Sequence, residues 1–148
     1  MVLTFGRIYA IIDSKKSTER IMEIKRDYYL NKLIQHRKSG LVKIVTGVRR
    51  CGKSYLLFHL FRNYLQKSGI QDDHIISIAL DDYGNKHLLD PDALYRHVKS
   101  LIADNADYYI LLDEIQLVKD FESVVNGFMH IPNADIYVTG SNSKFLSS

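Results

Sequence analysis

The most restrictive feature of the sequence is a short glycine-containing stretch between two apolar segments. Residues 47–54 are GVRRCGKS and match the pattern G-x-x-x-x-G-K-[ST]. Before them, residues 41–46, LVKIVT, are rich in β-branched side chains, which predicts a buried strand. After them, SYLLFHLFRNYLQKSG is apolar almost all round and predicts a buried helix that ends at Gly69. Strand, loop and helix in this order predict a phosphate-binding loop.

The residue types in this loop fit the chemistry of binding an anion. Gly47 and Gly52 tolerate backbone angles that let successive N–H groups point inward around a phosphate. Lys53 is expected to reach the β- and γ-phosphates, and the Ser54 hydroxyl is expected to contact Mg²⁺. The helix N terminus adds about half a positive charge. The predicted nucleotide contacts are Gly47, Val48, Arg49, Arg50, Cys51, Gly52, Lys53, Ser54 and Tyr55.

A second motif is the acid pair that ends the apolar run YYILLDE at residues 108–114. A strand here carries Asp113 to its carboxyl end, where ligand sites in open α/β sheets lie. Its carboxylate is predicted to hold Mg²⁺ together with Ser54. Glu114 is predicted to orient and deprotonate a water that attacks the γ-phosphate. Lys53 and Glu114 are therefore the predicted catalytic residues, and Ser54 and Asp113 are the predicted metal ligands.

A third motif follows the last apolar run, in YVTGSNSKF at residues 137–145. We expect this strand to lie between the first and third strands, so that its end approaches the γ-phosphate. Thr139, Ser141 and Asn142 are the candidates for contacting that phosphate or the attacking water, and the choice among them stays open. A simple turn is the alternative, because Gly-Ser-Asn is typical of turns.

Four apolar runs alternate with segments of helical character, and this alternation predicts a mostly parallel sheet in an α/β layer fold. Asp27, Asp90 and Asp120 are predicted to cap the helices that follow them. Asp81 and Asp82 follow the second strand at the same end of the sheet, and they are also typical turn residues. The predicted strands lie at 41–46, 74–80, 108–114 and 135–140.

Composition indicates one soluble domain of ordinary character. The chain has 148 residues and a formal net charge of +3, and its basic residues are scattered rather than gathered in a nucleic-acid-binding stripe. The only cysteine is Cys51, so no intrachain disulfide can form, as expected in a reducing compartment. No apolar run approaches the roughly 18 residues of a membrane span. We therefore predict a cytoplasmic protein without a membrane partner.

Several segments resemble the N-terminal ATPase domain of the prokaryotic AAA-type ATPases that usually carry a C-terminal domain of unknown function. The resemblance covers about residues 22–148 and is carried by KRDYYLNKLI, VKIVTGVRRCGKSYLL, YYILLDEIQLVKDFESVVNGF and DIYVTGSNSKFL. It implies a P-loop NTPase three-layer sandwich of the additional-strand type. It also implies ATP and Mg²⁺ as ligands, with residues 139–142 sensing the γ-phosphate.

The sequence also departs from the pattern of that family. The family fold continues with a fifth strand beside the first, an arginine for the transition state and the C-terminal domain. If Ser148 ends the chain, the first predicted strand is expected to form an edge of the sheet. Residues 2–12 are predicted to form a strand and residues 13–20 a loop. We interpret residues 1–21 as an N-terminal extension from an upstream start and residues 22–148 as an incomplete ATPase domain.

These features predict an ATP-binding module that hydrolyses ATP slowly, because the arginine is missing. A nucleotide-dependent switch or scaffold with little turnover is the main alternative. A small-molecule kinase is less favoured, because it needs no water-activating acid after the metal-binding aspartate. Self-association, nucleic-acid partners and protein partners all stay open.

Overall fold

The computed structural model describes residues 3–5, 8–14, 19–47, 52–141 and 145, with side chains from residue 26 onward. The described strands form one sheet in the order β1-β2-β3-β6-β5-β4. The strands are β1 Leu3–Phe5, β2 Ile8–Ser14, β3 Val42–Gly47, β4 Ile75–Ala79, β5 Tyr108–Asp113 and β6 Ala134–Gly140.

Helices connect the parallel strands and cover both faces of the sheet. A π-helical segment, Leu56–Phe61, continues α2 directly into α3, and short 3₁₀ turns lie at Asp72–His74, Tyr83–Leu89 and Ile115–Leu117. None of the helices in the described part of the chain is long and apolar enough to cross a membrane. The α-helices are α1 Glu19–Gln35, α2 Lys53–Tyr55, α3 Arg62–Lys67, α4 Pro91–Leu101 and α5 Phe121–Met129.

The four predicted strands form, and they are parallel to one another. They correspond to β3, β4, β5 and β6, and β6 lies between β3 and β5 as expected. Every residue of β3 and β5 is buried, which explains why both strands are nearly continuous apolar runs. The predicted α/β fold is therefore confirmed.

The expectation that the first predicted strand forms an edge of the sheet is wrong. That strand is β3, and the upstream strand β2 pairs with it in parallel, while β1 pairs with β2 as an antiparallel neighbour. The segment predicted as one strand over residues 2–12 thus contributes two. The predicted loop over 13–20 is also too long, because β2 runs to Ser14 and α1 begins at Glu19.

Side chains that alternate along the sheet build a separate core on each face. In β5, Tyr109 and Leu111 pack with residues of α1 and of the helical stretch 53–67. Ile110 and Leu112 point to the opposite face, where they pack with residues of α4 and α5. The two cores hold the sheet as the middle of three layers and fix where its strands end.

One of the three predicted helix caps is confirmed. The Asp90 carboxylate accepts a hydrogen bond from the Ala93 N–H at the start of α4, with Pro91 in the first helical position. Asp27 lies inside α1 rather than before it, so its predicted cap is wrong. Asp120 precedes α5 in a left-handed conformation, with φ of 54°, and its side chain makes no capping hydrogen bond. Only the backbone carbonyl of Asp120 takes part in the first turn of α5, where it accepts a hydrogen bond from the Ser123 N–H.

The amino end of the sheet contains a buried ion pair. Lys43 of β3 is fully buried and pairs with Asp135 of β6, and burial lowers the pKa of this lysine. The Asp135 carboxylate also accepts hydrogen bonds from the Tyr137 hydroxyl at 2.7 Å and from the Lys38 N–H at 2.9 Å. The lysine further donates to the Leu41 carbonyl at 2.7 Å. Both charges are thus neutralised by groups of the chain itself.

Strand β4 is the outermost described strand on the other side of the sheet. Arg62 of α3 donates a hydrogen bond to the Ser77 hydroxyl on this strand and forms an ion pair with Asp72. The guanidinium holds the pKa of Asp72 below its ordinary value. A charged side chain therefore lies along this margin of the sheet.

Candidate nucleotide-binding site

The predicted site residues gather where β3, β5 and β6 end. Gly47 ends β3, Asp113 ends β5 and Gly140 ends β6. Because the strands are parallel and adjacent, their carboxyl ends lie at the same margin of the sheet. The predicted nucleotide contacts Val48, Arg49, Arg50 and Cys51, and also Asn142, lie outside the described residues.

The glycine before α2 has the backbone conformation that the loop requires. Gly52 has φ of 92°, in the left-handed region that residues with a side chain rarely adopt. Lys53 begins α2 and is 6% exposed. Its Nζ donates to the Gly47 carbonyl at 2.7 Å, so the lysine spans the loop from its end back to its beginning. This places the ammonium group at the carboxyl end of β3, where the predicted phosphate loop begins.

The two predicted metal ligands are in direct contact. The Ser54 hydroxyl donates to Asp113 Oδ2 at 2.6 Å, although 59 residues separate them in sequence. Magnesium takes oxygen ligands of these two kinds, and it is usually held by one or two protein groups together with phosphates and waters. No cluster of three or more His, Cys, Asp or Glu side chains suited to a metal occurs in the described ranges. The donor set therefore fits Mg²⁺ arriving with a nucleotide.

Asp113 carries its charge in an unfavourable environment. Its side chain lies among the buried residues, and burial raises its pKa above the ordinary value. The nearby carboxylates of Glu114 and Asp81 raise this pKa further, while the hydrogen bonds from Ser54 and Thr139 oppose the shift. Such an acid gains from a nearby cation, which is a common property of ligand sites.

Glu114 occupies a sharp turn immediately after β5. Its φ and ψ are 58° and 48°, a left-handed conformation that costs a residue other than glycine about 1 kcal/mol or more. Its N–H donates to the Thr139 hydroxyl at 2.9 Å, and its carboxylate accepts a hydrogen bond from the Gln116 side-chain amide. The hydrogen bond to Thr139 thus fixes the backbone of this turn against β6.

Thr139 connects the two acids. Its hydroxyl is fully buried, donates to Asp113 Oδ1 and accepts from the Glu114 N–H. The geometry therefore gives Thr139 a role in positioning both acids, and its contact with a γ-phosphate stays a prediction. Ser141 lies just beyond the end of β6 and is partly exposed. Its contact with phosphate also stays a prediction.

Tyr55 follows Ser54 in α2, and the residue is 45% exposed. The Arg26 guanidinium lies 5.1 Å from the ring centroid, and the His59 ring lies 5.0 Å away on the helical stretch that follows. The contact ties α1 to α2. The predicted nucleotide contact of Tyr55 stays a prediction.

Sequence reasoning gave no role to Gln116 and left the role of Asp81 open. Gln116 contacts the glutamate carboxylate, but only the turn at Glu114 brings it there, and no spacing rule marks such a contact. Asp81 lies near enough to raise the pKa of Asp113. Its neighbour Asp82 accepts a hydrogen bond from the Gly84 N–H, as a turn residue does.

The parallel sheet, the lysine that spans the glycine loop and the contact between Ser54 and Asp113 define a P-loop NTPase-like α/β domain. The chain matches the family model described as "AAA domain" over residues 39–148. The chain belongs to this family, and it is an AAA-like nucleotide-binding module.

Two relatives have similar sequences. An uncharacterized protein of Haemophilus influenzae is 34% identical over 125 residues, which cover 84% of this chain and 31% of that protein. An uncharacterized protein of Methanocaldococcus jannaschii is 30% identical over 141 residues, which cover 93% of this chain and 28% of that protein. The chain thus spans about a third of the length of these relatives. No solved structure gives a significant match.

Proposed function

We propose that the chain is the ATP-binding module of an AAA-type ATPase and that it hydrolyses ATP with Mg²⁺ and a water activated by Glu114. The observation that carries this proposal is the 2.6 Å hydrogen bond between Ser54 and Asp113. It joins the phosphate loop to the acid pair, so that the residues suited to phosphate, metal and water lie together.

The nucleotide phosphates would lie against the loop and the start of α2. There Lys53 supplies positive charge to the β- and γ-phosphates, and the backbone N–H groups of the loop supply further donors. Mg²⁺ would be held by Ser54 and Asp113, and when bound it neutralises charge that develops on the phosphate oxygens. The buried Asp113 carboxylate, which forms no ion pair with the described residues, would then have a cation beside it.

Glu114 would act as the general base. Its carboxylate takes a proton from a water whose oxygen forms a bond to the γ-phosphorus, and the bond from that phosphorus to the bridging oxygen of ADP breaks. The products are ADP and inorganic phosphate. We propose slow turnover for the chain on its own, because an arginine finger supplied by a second subunit contributes about 10³–10⁵ in rate where one is present.

Two substitutions test binding and hydrolysis separately. Lys53→Ala should abolish nucleotide binding, because it removes the charge inside the phosphate cradle. Glu114→Gln should retain binding and lose hydrolysis, because an amide cannot accept the proton. Binding is measured by calorimetry with Mg-ATP, and hydrolysis is measured by phosphate release.

Exposed residues of the same types supply the controls. Lys67→Ala on α3 and Glu122→Gln on α5 should leave both measurements unchanged. If Glu114→Gln releases phosphate at the parental rate, the assignment of the base is wrong. If Lys53→Ala binds Mg-ATP as well as the parent does, the phosphate site is wrong.

A switch or scaffold with little turnover is the second candidate. It is favoured by one observation, since the buried Asp113 carboxylate would gain from a bound cation whether or not hydrolysis follows. A switch would bind Mg-ATP and release almost no phosphate. A kinase would release ADP only when an acceptor is present, so parallel assays with and without candidate acceptors separate the three functions.

A further inference from the structure

We propose that Gln116 is a positioning residue that holds the Glu114 carboxylate in the orientation for accepting a proton from the attacking water. The proposal rests on the proposed ATPase function and adds a residue to it. Gln116 lies in the 3₁₀ turn Ile115–Leu117, which directly follows the left-handed turn at Glu114. This reversal of the chain brings the side chain of residue 116 back onto that of residue 114.

In the hydrogen bond between these side chains, Gln116 is the donor and Glu114 is the acceptor. Gln116 Nε2 donates to Glu114 Oε2, and an ionised carboxylate can only accept, so the amide nitrogen must face it. The other carboxylate oxygen, Oε1, accepts no hydrogen bond from the described residues. One oxygen is therefore fixed by the protein, and the second is available to a water molecule.

The amide is itself held in place by its surroundings. Gln116 Oε1 lies 2.6 Å from the point that a Cβ on Gly140 would occupy, so the absence of a side chain at the end of β6 makes room for it. The same point lies within clashing distance of the Phe145 ring. Its close approach to the backbone at Gly140 restricts the rotamers of Gln116, and through it the rotation of the carboxylate.

The environment of the amide oxygen indicates that Gln116 has a role beyond packing. Gln116 Oε1 is buried and has no hydrogen-bond partner among the described residues. A buried acceptor without a partner is unfavourable, and a purely structural position would favour an apolar residue of the same shape. The donor end of the amide therefore accounts for a glutamine here, and its contact is the carboxylate of Glu114.

The test replaces the amide by a side chain of similar length without a donor. Gln116→Met should lower phosphate release about 10-fold to 100-fold, the scale on which a misplaced catalytic group loses rate. Its affinity for Mg-ATP should equal that of the parent. In a Glu114→Gln background, the same substitution should cause no further loss, because Gln116 acts only through the glutamate. Gln71→Met, at an exposed glutamine, is the matched control.

A second measurement does not depend on turnover. With glutamate labelled by carbon-13 at the side-chain carboxyl, the Glu114 signal is identified by its loss in Glu114→Gln. Gln116→Met should shift this signal, and Gln71→Met should not. An unmoved signal, a parental rate or a faster rate in Gln116→Met each overturns the proposal, and a faster rate would make Gln116 a restraint on the base.

The two measurements separate this proposal from the function on which it rests. If the parent itself releases no phosphate above the Lys53→Ala background, the ATPase proposal fails. The contact between Gln116 and Glu114 is then tested by the carbon-13 signal of Glu114 alone. A shift of this signal in Gln116→Met supports the contact, and an unchanged signal refutes it.

Discussion

The two ends of the sheet each bury one lysine and one aspartate, yet they use these charges in opposite ways. At the amino end, Lys43 and Asp135 form an ion pair. At the carboxyl end, Lys53 donates to a backbone carbonyl and Asp113 accepts from two hydroxyl groups. Among the described residues, no ion pair joins that lysine to that aspartate.

The difference separates a stabilising arrangement from one that favours a ligand. At the amino end, the Asp135 carboxylate is paired with a lysine and accepts hydrogen bonds from a tyrosine hydroxyl and a backbone N–H. It therefore needs no ligand to balance its charge. At the carboxyl end, Asp113 accepts hydrogen bonds from two neutral hydroxyl groups and lies near two further carboxylates. Asp113 forms no ion pair with the described residues, and a metal bound to a nucleotide would bring a positive charge to it.

The largest expected effect is the loss of the partner at the amino end. Asp135→Ala leaves Lys43 buried without its counter-charge and removes the acceptor for two other donors. Unpairing a buried charge in this way costs about 3–5 kcal/mol. Urea unfolding, followed by circular dichroism, should show a fall of this size in the free energy of unfolding.

An exposed pair at the same end supplies the control. Lys38 and Asp107 form an ion pair in which both side chains are about half exposed. Asp107→Ala should therefore change the free energy of unfolding by only about 0–1 kcal/mol. Equal losses in Asp135→Ala and Asp107→Ala would show that burial does not distinguish the two pairs.

A smaller effect is expected from Thr139→Val at the carboxyl end. Valine keeps the shape of threonine but removes the hydroxyl that accepts from the Glu114 N–H and donates to Asp113. Leaving such buried groups without partners costs about 1–3 kcal/mol, measured by the same urea unfolding. Thr139→Ser keeps the hydroxyl and should retain most of this stability. If valine and serine behave alike at this position, the hydroxyl does not tie the acids together.

The smallest expected effect is an increase in the free energy of unfolding. Asp113→Asn removes a buried charge that forms no ion pair with the described residues, and it should stabilise the free chain by about 0.5–2 kcal/mol, the usual size for a single stabilising substitution. The same variant should lose the effect of Mg²⁺ on ATP binding. Thermal unfolding of the free chain measures the gain.

The pH dependence of the stabilisation in Asp113→Asn follows from the raised pKa of Asp113. Burial raises the folded-state pKa of Asp113 above its value in the unfolded chain, so the parent loses stability as the pH rises through the folded pKa. The gain in Asp113→Asn should therefore grow from acid to neutral pH and vanish below the unfolded value of 3.8. The exposed Asp107→Asn should show no comparable growth. A loss of stability at neutral pH in Asp113→Asn would contradict this account.

The parts of the fold that depend on local pattern could be predicted from sequence. Continuous apolar runs identified β3 and β5, because both faces of those strands are covered. Their parallel order then brought Ser54 and Asp113 to the same margin. The Asp90 cap was equally local, since an aspartate followed by proline needs no distant partner.

The parts that depend on distant partners or on unusual backbone could not be predicted. Lys43 stands in an apolar run, and the acid that neutralises it is 92 residues away. The Gln116 contact depends on a left-handed turn at a glutamate, which is rarely adopted by residues with a side chain. Asp27 has the residue type of a cap, but α1 begins earlier, and the sequence around it permits helix on both sides.

The charge along β4 has a consequence for how the molecule behaves in a crowded solution. An unpaired outer strand offers its backbone to the strands of other molecules, which is a common start of aggregation. Arg62, held beside this strand by Ser77 and Asp72, places a positive charge next to the backbone of β4. Its benefit is therefore expected in the concentration at which the protein stays dissolved, more than in the energy that holds one copy folded.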